Sequence, residues 1–386
     1  MCTRSGRANL VSWRAMSSPL QDPVPLAAVR RALVTKLRHH GDVLLASPVF
    51  STLKRAAPHA EIDALVYRET APMLEGHPSI AMLHTIDRDW KRQGLLAQAA
   101  REIALLRALS ARRYDLVVHL TEHPRGLTLA RLLRPRYAVT RERTKHAGAW
   151  GRRFTHFYRL PRSTPRHAVE ANLDALRRIG VQPDEDDKRL TLVPGAAAEA
   201  RADALLAAHA LAPGRFVQVH PGSRWLFKCW PAERMAALVA QLAHDGHAVL
   251  ITGAPDPRER ALVDAIVAAL PAAARARVAD ATGTLTLREL AAVTARARLF
   301  IGVDSAPMHI AAAMGTPAVA LFGPSGEHEW GPWRVPSRVV ASTVHPCRPC
   351  GIDGCGGGKV SECLTTLPQE RVLAAVRDLL AATAQR

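Results

Sequence analysis

Short β-like runs alternate with amphipathic helical stretches along this chain, and the alternation occurs twice. That pattern constrains the fold more than any other feature. In the first half, 31–37, 61–66, 82–86 and 114–119 are predicted strands. Between them lie a helical stretch opening at Asp42, a short helix near 69–75 and a helix over 95–110. The pattern dissolves between Arg125 and Arg166, then resumes with a helix over 169–179 whose Val169, Leu173, Leu176 and Ile179 share one face. The second half repeats the theme, with strands at 215–220, 247–252, 298–303 and 318–322 and helices at 231–244, 257–270, 287–295, 306–314 and 367–382. Strands alternating with helices predict βαβ units and parallel sheets. A chain of 386 residues exceeds the ~250–300 that one core usually serves. The expected fold class is therefore α/β, with two Rossmann-like domains facing across a cleft. A flexible basic tail is expected over 1–28, an N-terminal domain over 29–210 and a C-terminal domain over 211–386.

Charge separates the two halves. Lys and Arg number 52 against 34 Asp and Glu, a net +18. Residues 1–190 carry 33 basic and 18 acidic side chains, whereas 191–386 carry 19 and 16, so nearly all the excess lies in the first half. No apolar run reaches the ~18–20 residues of a membrane-spanning helix. Residues 1–28 contain Arg4, Arg7 and Arg14 without the apolar core of a secretory signal, and Met16 is an alternative start. Six cysteines in a chain of this length are not a disulfide framework.

In doubly wound sheets ligands bind beyond the carboxyl ends of the strands. Three strand-to-helix turns carry polar residues that a plain connector does not need. The first, Lys36-Leu-Arg-His-His-Gly-Asp42, places a carboxylate at a helix start. Asp42 reads as an N-cap or as a general base, and the two roles are compatible. The second, His220-Pro-Gly-Ser-Arg-Trp-Leu-Phe-Lys-Cys-Trp-Pro231, combines Gly222, Ser223 and Lys228 as an anion cradle without Walker spacing. Lys228 taken alone is equally a solvated surface lysine. The third runs from a buried strand through Gly302-Val-Asp-Ser-Ala-Pro-Met-His309, where Ser305 and Ala306 open a helix whose amides can receive a pyrophosphate. Asp304 suits donor orientation or sugar hydroxyls rather than phosphate. The triplet Asp87-Arg-Asp89 beside Trp90 reads as a surface turn rather than a metal motif.

These turns, together with Thr252-Gly-Ala-Pro-Asp-Pro257 and Gly283-Thr-Leu-Thr-Leu287, occur in an order that resembles the ADP-heptose:lipopolysaccharide heptosyltransferases. That family consists of inverting glycosyltransferases of GT-B architecture. The likeness covers roughly residues 29–386. The wording of 227–230 and 303–309 is nearest the branch that adds the side-branch heptose of the inner core. The resemblance implies an N-terminal acceptor domain and a C-terminal nucleotide-sugar domain. It implies Asp42 as catalytic base and Lys228 as holder of the departing diphosphate. Ser223, Asp304, Ser305, Ala306, Pro307 and His309 would contact the donor, with Leu285 against adenine. Asp256 is the nearest candidate for the family's acid beside the helix at 257. No cofactor and no metal in the chemical step are implied. The expected partners are ADP-heptose, a lipopolysaccharide inner-core acceptor and an anionic membrane surface. The expected location is the cytoplasm, peripheral on the inner face of the inner membrane.

Arginines crowd 125–166 among aromatic residues, and Arg141, Arg143, Arg152 and Arg153 are candidate acceptor and membrane contacts. No nucleic-acid motif accompanies them, so nucleic acid is not an expected partner. Cys347, Cys350, Cys355 and Cys363 read either as a possible structural metal site of non-standard spacing or as reduced thiols in a loop. A nicotinamide oxidoreductase would need GxGxxG after the first strand, which 37–42 lacks. A non-catalytic nucleotide-sugar-binding protein would keep the second-half cradle without needing Asp42.

Overall fold

The computed structural model describes residues 22–92, 94–121, 123–142, 153–160 and 165–384. The first sheet is built from β1 (Arg31–Thr35), β2 (Glu61–Tyr67), β3 (Met82–Ile86), β4 (Leu116–His119), β5 (Tyr137–Arg141) and β6 (His156–Tyr158). The second comprises β7 (Phe216–His220), β8 (Ala248–Ile251), β9 (Val278–Asp280), β10 (Leu299–Val303), β11 (Ala318–Phe322) and β12 (Ser337–Ala341). Their orders are β3-β2-β1-β4-β5-β6 and β12-β11-β10-β7-β8-β9, the same winding used twice. Each described pairing is parallel; β1 matches Arg31 with Glu61 on one side and Ala32 with Leu116 on the other. Central strands are buried almost throughout, as helices on both faces of a parallel sheet require.

The helices that matter below are α1 (His40–Leu44), α2 (Ser47–Ala56), α3 (Leu95–Arg112), α4 (Arg125–Leu133), α5 (Ala168–Arg177), α6 (Ala196–Ala208), α7 (Ala232–His244), α8 (Pro257–Ala268), α9 (Leu287–Ala295), α10 (Ala306–Met314) and α11 (Gln369–Ala382). Pro48 falls in the first turn of α2, where its missing N–H is harmless, so the chain makes two helices where one stretch was expected. Around 69–75 the expected helix is a 3-10 segment, Arg68–Met73. The stretch 125–166, expected to lack pattern, supplies α4, β5 and β6. Leu129 and Ala130 bury one side of α4 while Arg131 is exposed.

Two expected boundaries shift. Residues 22–28 are docked rather than a free tail: Val24 is buried, its N–H donates to the Ile179 carbonyl, and the Asp22 carboxylate meets the Arg178 guanidinium at 2.9 Å. The rest of the expected tail lies outside the described residues. Helix α6 packs Ala198, Ala202, Leu205 and Leu206 against Phe216, Leu250 and Ala292 of the second sheet's layer. By packing it belongs to the second lobe, so the division falls near Gly195 rather than at 210.

The lobes touch through helices that follow the carboxyl ends of their strands. Leu290, Ala291, Ile310 and Ala312 of the second lobe join a cluster with Val43, Leu44 and Phe50 of the first. His167 stacks on Trp333 at 4.3 Å and donates from Nε2 to the Gly331 carbonyl. Arg288 donates to the Val193 carbonyl and approaches Glu75 at 3.3 Å.

Candidate active site

Strand order fixes where a ligand can sit. In each sheet the winding reverses between the first and fourth strands, and the crevice at that switch point is open at the carboxyl ends. Asp42 follows β1, Ser223 and Lys228 follow β7, and Asp304 follows β10, so these residues all arise at the two switch points.

Gly41 and Asp42 open α1, and the helix abuts the start of α10 from the other lobe. A Cβ at Gly41 would stand 2.7 Å from His309 Cδ2 and 3.9 Å from Ala306 Cα. Only glycine permits that approach. Arg224 Nη1 donates to His39 Nδ1 at 3.2 Å, and His39 meets Trp225 edge-on at 5.3 Å, which closes a second bridge between the lobes. The structure thus brings the expected base and the expected donor loop into one crevice.

The Asp42 carboxylate has a side-chain exposure of 16% and lies 3.9 Å from Arg38 Nε. Behind it, Lys36 is buried and donates to the Leu120 carbonyl at 3.3 Å and to Asn172 Oδ1 at 2.9 Å. Burial pushes the Lys36 ammonium down to about 8, opposed by the charge of Asp42. Lys36 has no role that its place in the chain alone reveals. Its position beneath Asp42 is the signal that only the fold supplies.

On the facing lobe Lys228 Nζ donates to Asp304 Oδ2 at 2.6 Å. The same ammonium stands 5.3 Å from the Trp225 ring. Trp230 anchors this loop by donating from Nε1 to the Leu367 carbonyl. Ser223 is buried and its Oγ accepts from the Trp225 N–H at 3.4 Å. Cys229 beside them is half-buried, and burial pushes its thiol up to about 12. Ser305 caps α10 in an extended conformation, with its Oγ donating to the Val303 carbonyl, and Ala306 and Pro307 form the first turn. His309 lies within that helix. Burial pushes its imidazole down to about 4 despite Asp304 and Asp42, so it is neutral. Its Nδ1 is buried and, among the described residues, meets no hydrogen-bond partner.

Asp256 does not point into this crevice. Its carboxylate caps α8 by accepting from the Arg258 N–H at 2.8 Å and is held by the Arg258 guanidinium at 3.0 Å. The inward acid is Glu259, three residues on. It is buried, accepts from the Ala254 N–H at 2.9 Å and lies 3.6 Å from His220 Nε2. Burial would raise its carboxyl, yet the His220 and Ala254 hydrogen bonds outweigh it and the group lies below its ordinary value. A side chain at Gly222 would collide with this carboxylate, so Glu259 borders the anion cradle. The available signal was a glutamate in the first turn of a helix that an aspartate already capped.

Leu285 is half-buried beyond β9, where Gly283 donates to the Gly253 carbonyl at 2.9 Å and joins two carboxyl-end loops. Of the four acceptor arginines, Arg143 and Arg152 lie outside the described residues. Arg141 ends β5, at the same end of the sheet as Asp42, and is exposed. Arg153 is exposed and precedes β6, at the opposite end, so these two arginines do not lie at the same end of the sheet. Cys347, Cys350 and Cys355 are exposed and Cys363 is buried. Among the described residues no group of three or more histidine, cysteine or acidic side chains is arranged to hold a metal ion.

Comparison with known proteins agrees with this layout. The chain matches Glycosyltransferase family 9 (heptosyltransferase) over residues 103–360. It is 34% identical over 298 residues to Lipopolysaccharide heptosyltransferase 3 of Escherichia coli, covering 77% of this chain and 84% of that one. A solved glycosyl transferase family 9 protein from Veillonella parvula matches at a TM-score of 0.77 and 26% identity, covering 92% of this chain and 97% of that one. E. coli heptosyltransferase WaaC with ADP shares the fold at a TM-score of 0.66 and 19% identity, covering 92% and 99%. Twin parallel sheets with facing switch points, joined to these likenesses, identify the chain as a GT-B glycosyltransferase belonging to glycosyltransferase family 9, the heptosyltransferases.

Proposed function

We propose that the protein transfers heptose from ADP-L-glycero-D-manno-heptose to a heptose of the lipopolysaccharide inner core, with inversion, as a heptosyltransferase III. The observation that carries this is the meeting of Gly41-Asp42 with the start of α10, which sets a carboxylate across a gap from an anion cradle. Asp42 accepts the proton of the acceptor hydroxyl while that oxygen bonds to the anomeric carbon. The bond from that carbon to the diphosphate oxygen breaks, and ADP leaves with the electron pair. One displacement from the opposite face inverts the centre. Negative charge grows on the leaving diphosphate, and Lys228 with the amide-rich start of α10 stabilises it through pre-placed positive charge. Asp304 holds the Lys228 ammonium in place until the diphosphate arrives. Glu259 is placed to accept from sugar hydroxyls of the nucleotide, and neutral His309 can donate or accept within the donor crevice.

The likeness to Lipopolysaccharide heptosyltransferase 3 supports the choice of acceptor. A heptosyltransferase of type I or II would use the same crevice on a different core heptose, and a non-catalytic binder would dispense with Asp42. Incubation with ADP-heptose and defined truncated cores, read by mass and linkage analysis, separates these. The type III reading requires a single branching heptose, with ADP released in equal amount. Asp42→Asn is expected to lower turnover about 10²–10⁴-fold, the usual worth of a positioned base, with donor affinity kept. Near-normal turnover would remove Asp42 from the scheme. Among the described residues no helix is long and apolar enough to cross a membrane. The acceptor reading places the enzyme peripherally at the inner face of the inner membrane.

A further inference from the structure

Helix α3 is apolar on two sides. Leu105, Leu106 and Leu109 face inward onto a cluster with Trp90, Leu129 and Phe154. Glu102 ties the helix to α4 through Arg125. The outer side should then be polar, and it is not. Leu95 and Leu96 are 85% and 89% exposed, and Ile103 is 48% exposed. With Ala99 and Ala100, also exposed, they follow the i, i+4, i+8 spacing of one continuous stripe. Exposed Arg107 continues the line of Leu95, Ala99 and Ile103 at the next i+4 position, while the one acid of α3, Glu102, is turned aside to Arg125. Leu132, Arg131, Arg134 and Arg136 extend the same chemistry along the exposed part of α4 and just beyond.

The stripe also has a definite place. β3 ends at Ile86 and α3 runs back from Leu95, so the leucine-bearing start of α3 lies at the carboxyl end of the sheet, level with Asp42. The intervening Arg88 pairs with Glu69 at 3.1 Å and lies over the Tyr67 ring at 3.8 Å. Burial first, then Arg224 and Arg88 among the nearby charges, hold His39 below its ordinary imidazole value.

We infer that the outer stripe of α3, with its bordering arginines, is the surface by which this enzyme lies on an anionic phospholipid bilayer. Leucines entering the acyl boundary with arginines at headgroup level is the arrangement of an interfacial amphipathic helix. The orientation sets the crevice mouth near the membrane. The inference extends the proposed acceptor reading, since it explains how a lipid-anchored sugar reaches Asp42. It is tested without any turnover.

The test is sedimentation of the full chain with phosphatidylcholine vesicles containing one-fifth phosphatidylglycerol, and with phosphatidylcholine alone. Wild type is expected to bind the anionic vesicles at least about tenfold more strongly than neutral ones. Leu95→Gln/Leu96→Gln/Ile103→Gln is expected to weaken that binding at least about tenfold with an unchanged melting temperature. Arg107→Glu, which leaves the leucines in place, is expected to weaken the preference for anionic lipid at least about threefold. Unchanged vesicle binding by both variants overturns the inference, as does failure of wild type to bind. A wild-type dimer that the leucine variant dissolves would show the stripe to be an interface between copies. Transfer to a water-soluble deacylated core should be untouched in these variants. Absence of transfer by wild type would count against the proposed function alone.

Discussion

Gly41→Ala isolates the contact on which the catalytic reading depends. Gly41 is not in the left-handed region, so alanine is conformationally allowed. In a helix alanine is even favoured over glycine by about 1 kcal/mol. Any loss therefore comes from the neighbour. The new Cβ would stand 2.7 Å from His309 Cδ2, and ordinary contact begins at 3.4 Å, so the ring or the lobe must recede by about 0.7 Å. His309 is 3% exposed and followed by fully buried Ile310 and Ala311, which leaves the ring nowhere to go. Relief comes from parting the lobes, which draws Asp42 back from the donor. Misplacing a reacting group by 1 Å can cost about 10²-fold, so kcat should fall about 30- to 100-fold. The strain, about 1–3 kcal/mol for an overpacked site, should appear as opening rather than unfolding. Steady-state ADP release at saturating acceptor is the assay, with thermal melting alongside. A variant with kcat within about threefold of wild type would refute the claim that this contact sets the position of the base.

Lys228→Ala removes the charge on the leaving side and leaves the Asp304 carboxylate unpaired; turnover should drop about 10²–10³-fold and ADP affinity should weaken together, measured by kinetics and calorimetry. Glu259→Gln should weaken ADP binding, whereas Asp256→Ala should leave it unchanged and cost only the cap of α8, about 1 kcal/mol in a urea titration. Burial pushes His77 and His309 down to about 4 and His119 to about 3. Each is depressed below its unfolded value near 6.5, so the unfolded chain takes up protons that the fold refuses as pH falls. Stability is fully present above that value and declines towards pH 4. His77→Gln should flatten the decline by up to about 1.4 kcal/mol per pH unit in urea midpoints at pH 6.5 and 4.5.

Elements whose signal is local could be read from the chain. The strand, small residues and helix of 299–314 appear in the structure as written, because a buried apolar run, a cap and a C-terminal glycine are each set by neighbours in sequence. Helix α6 was missed because alanine covers nearly every face of it and leaves no apolar stripe to detect. Helix α4 was missed because its arginines masked Leu129 and Ala130. β9 and β12 were missed because strands of 3 and 5 residues with little burial carry almost no pattern. Within the site, Asp42, Lys228 and Asp304 stood out through their strand-to-helix turns and took their roles from the resemblance, but their convergence belongs to the winding of two sheets. Asp256 and Glu259 differ in direction, not in kind. Which of two acids in one helical turn faces inward is decided by Gly222 and His220, far away in sequence.

The division of labour between the lobes has a consequence for waste. An activated sugar is exposed to attack by any water that a base can deprotonate. In the proposed scheme the lobe that grips the nucleotide keeps its two carboxylates nearest the cradle engaged, Asp304 with Lys228 and Glu259 with His220 and Ala254. Such a base arrives only with the other half, and that half's surface must be filled by the sugar alcohol for the approach to be dry. Parting the halves leaves a loaded donor inert, so the enzyme can wait for its second substrate without hydrolysing the first.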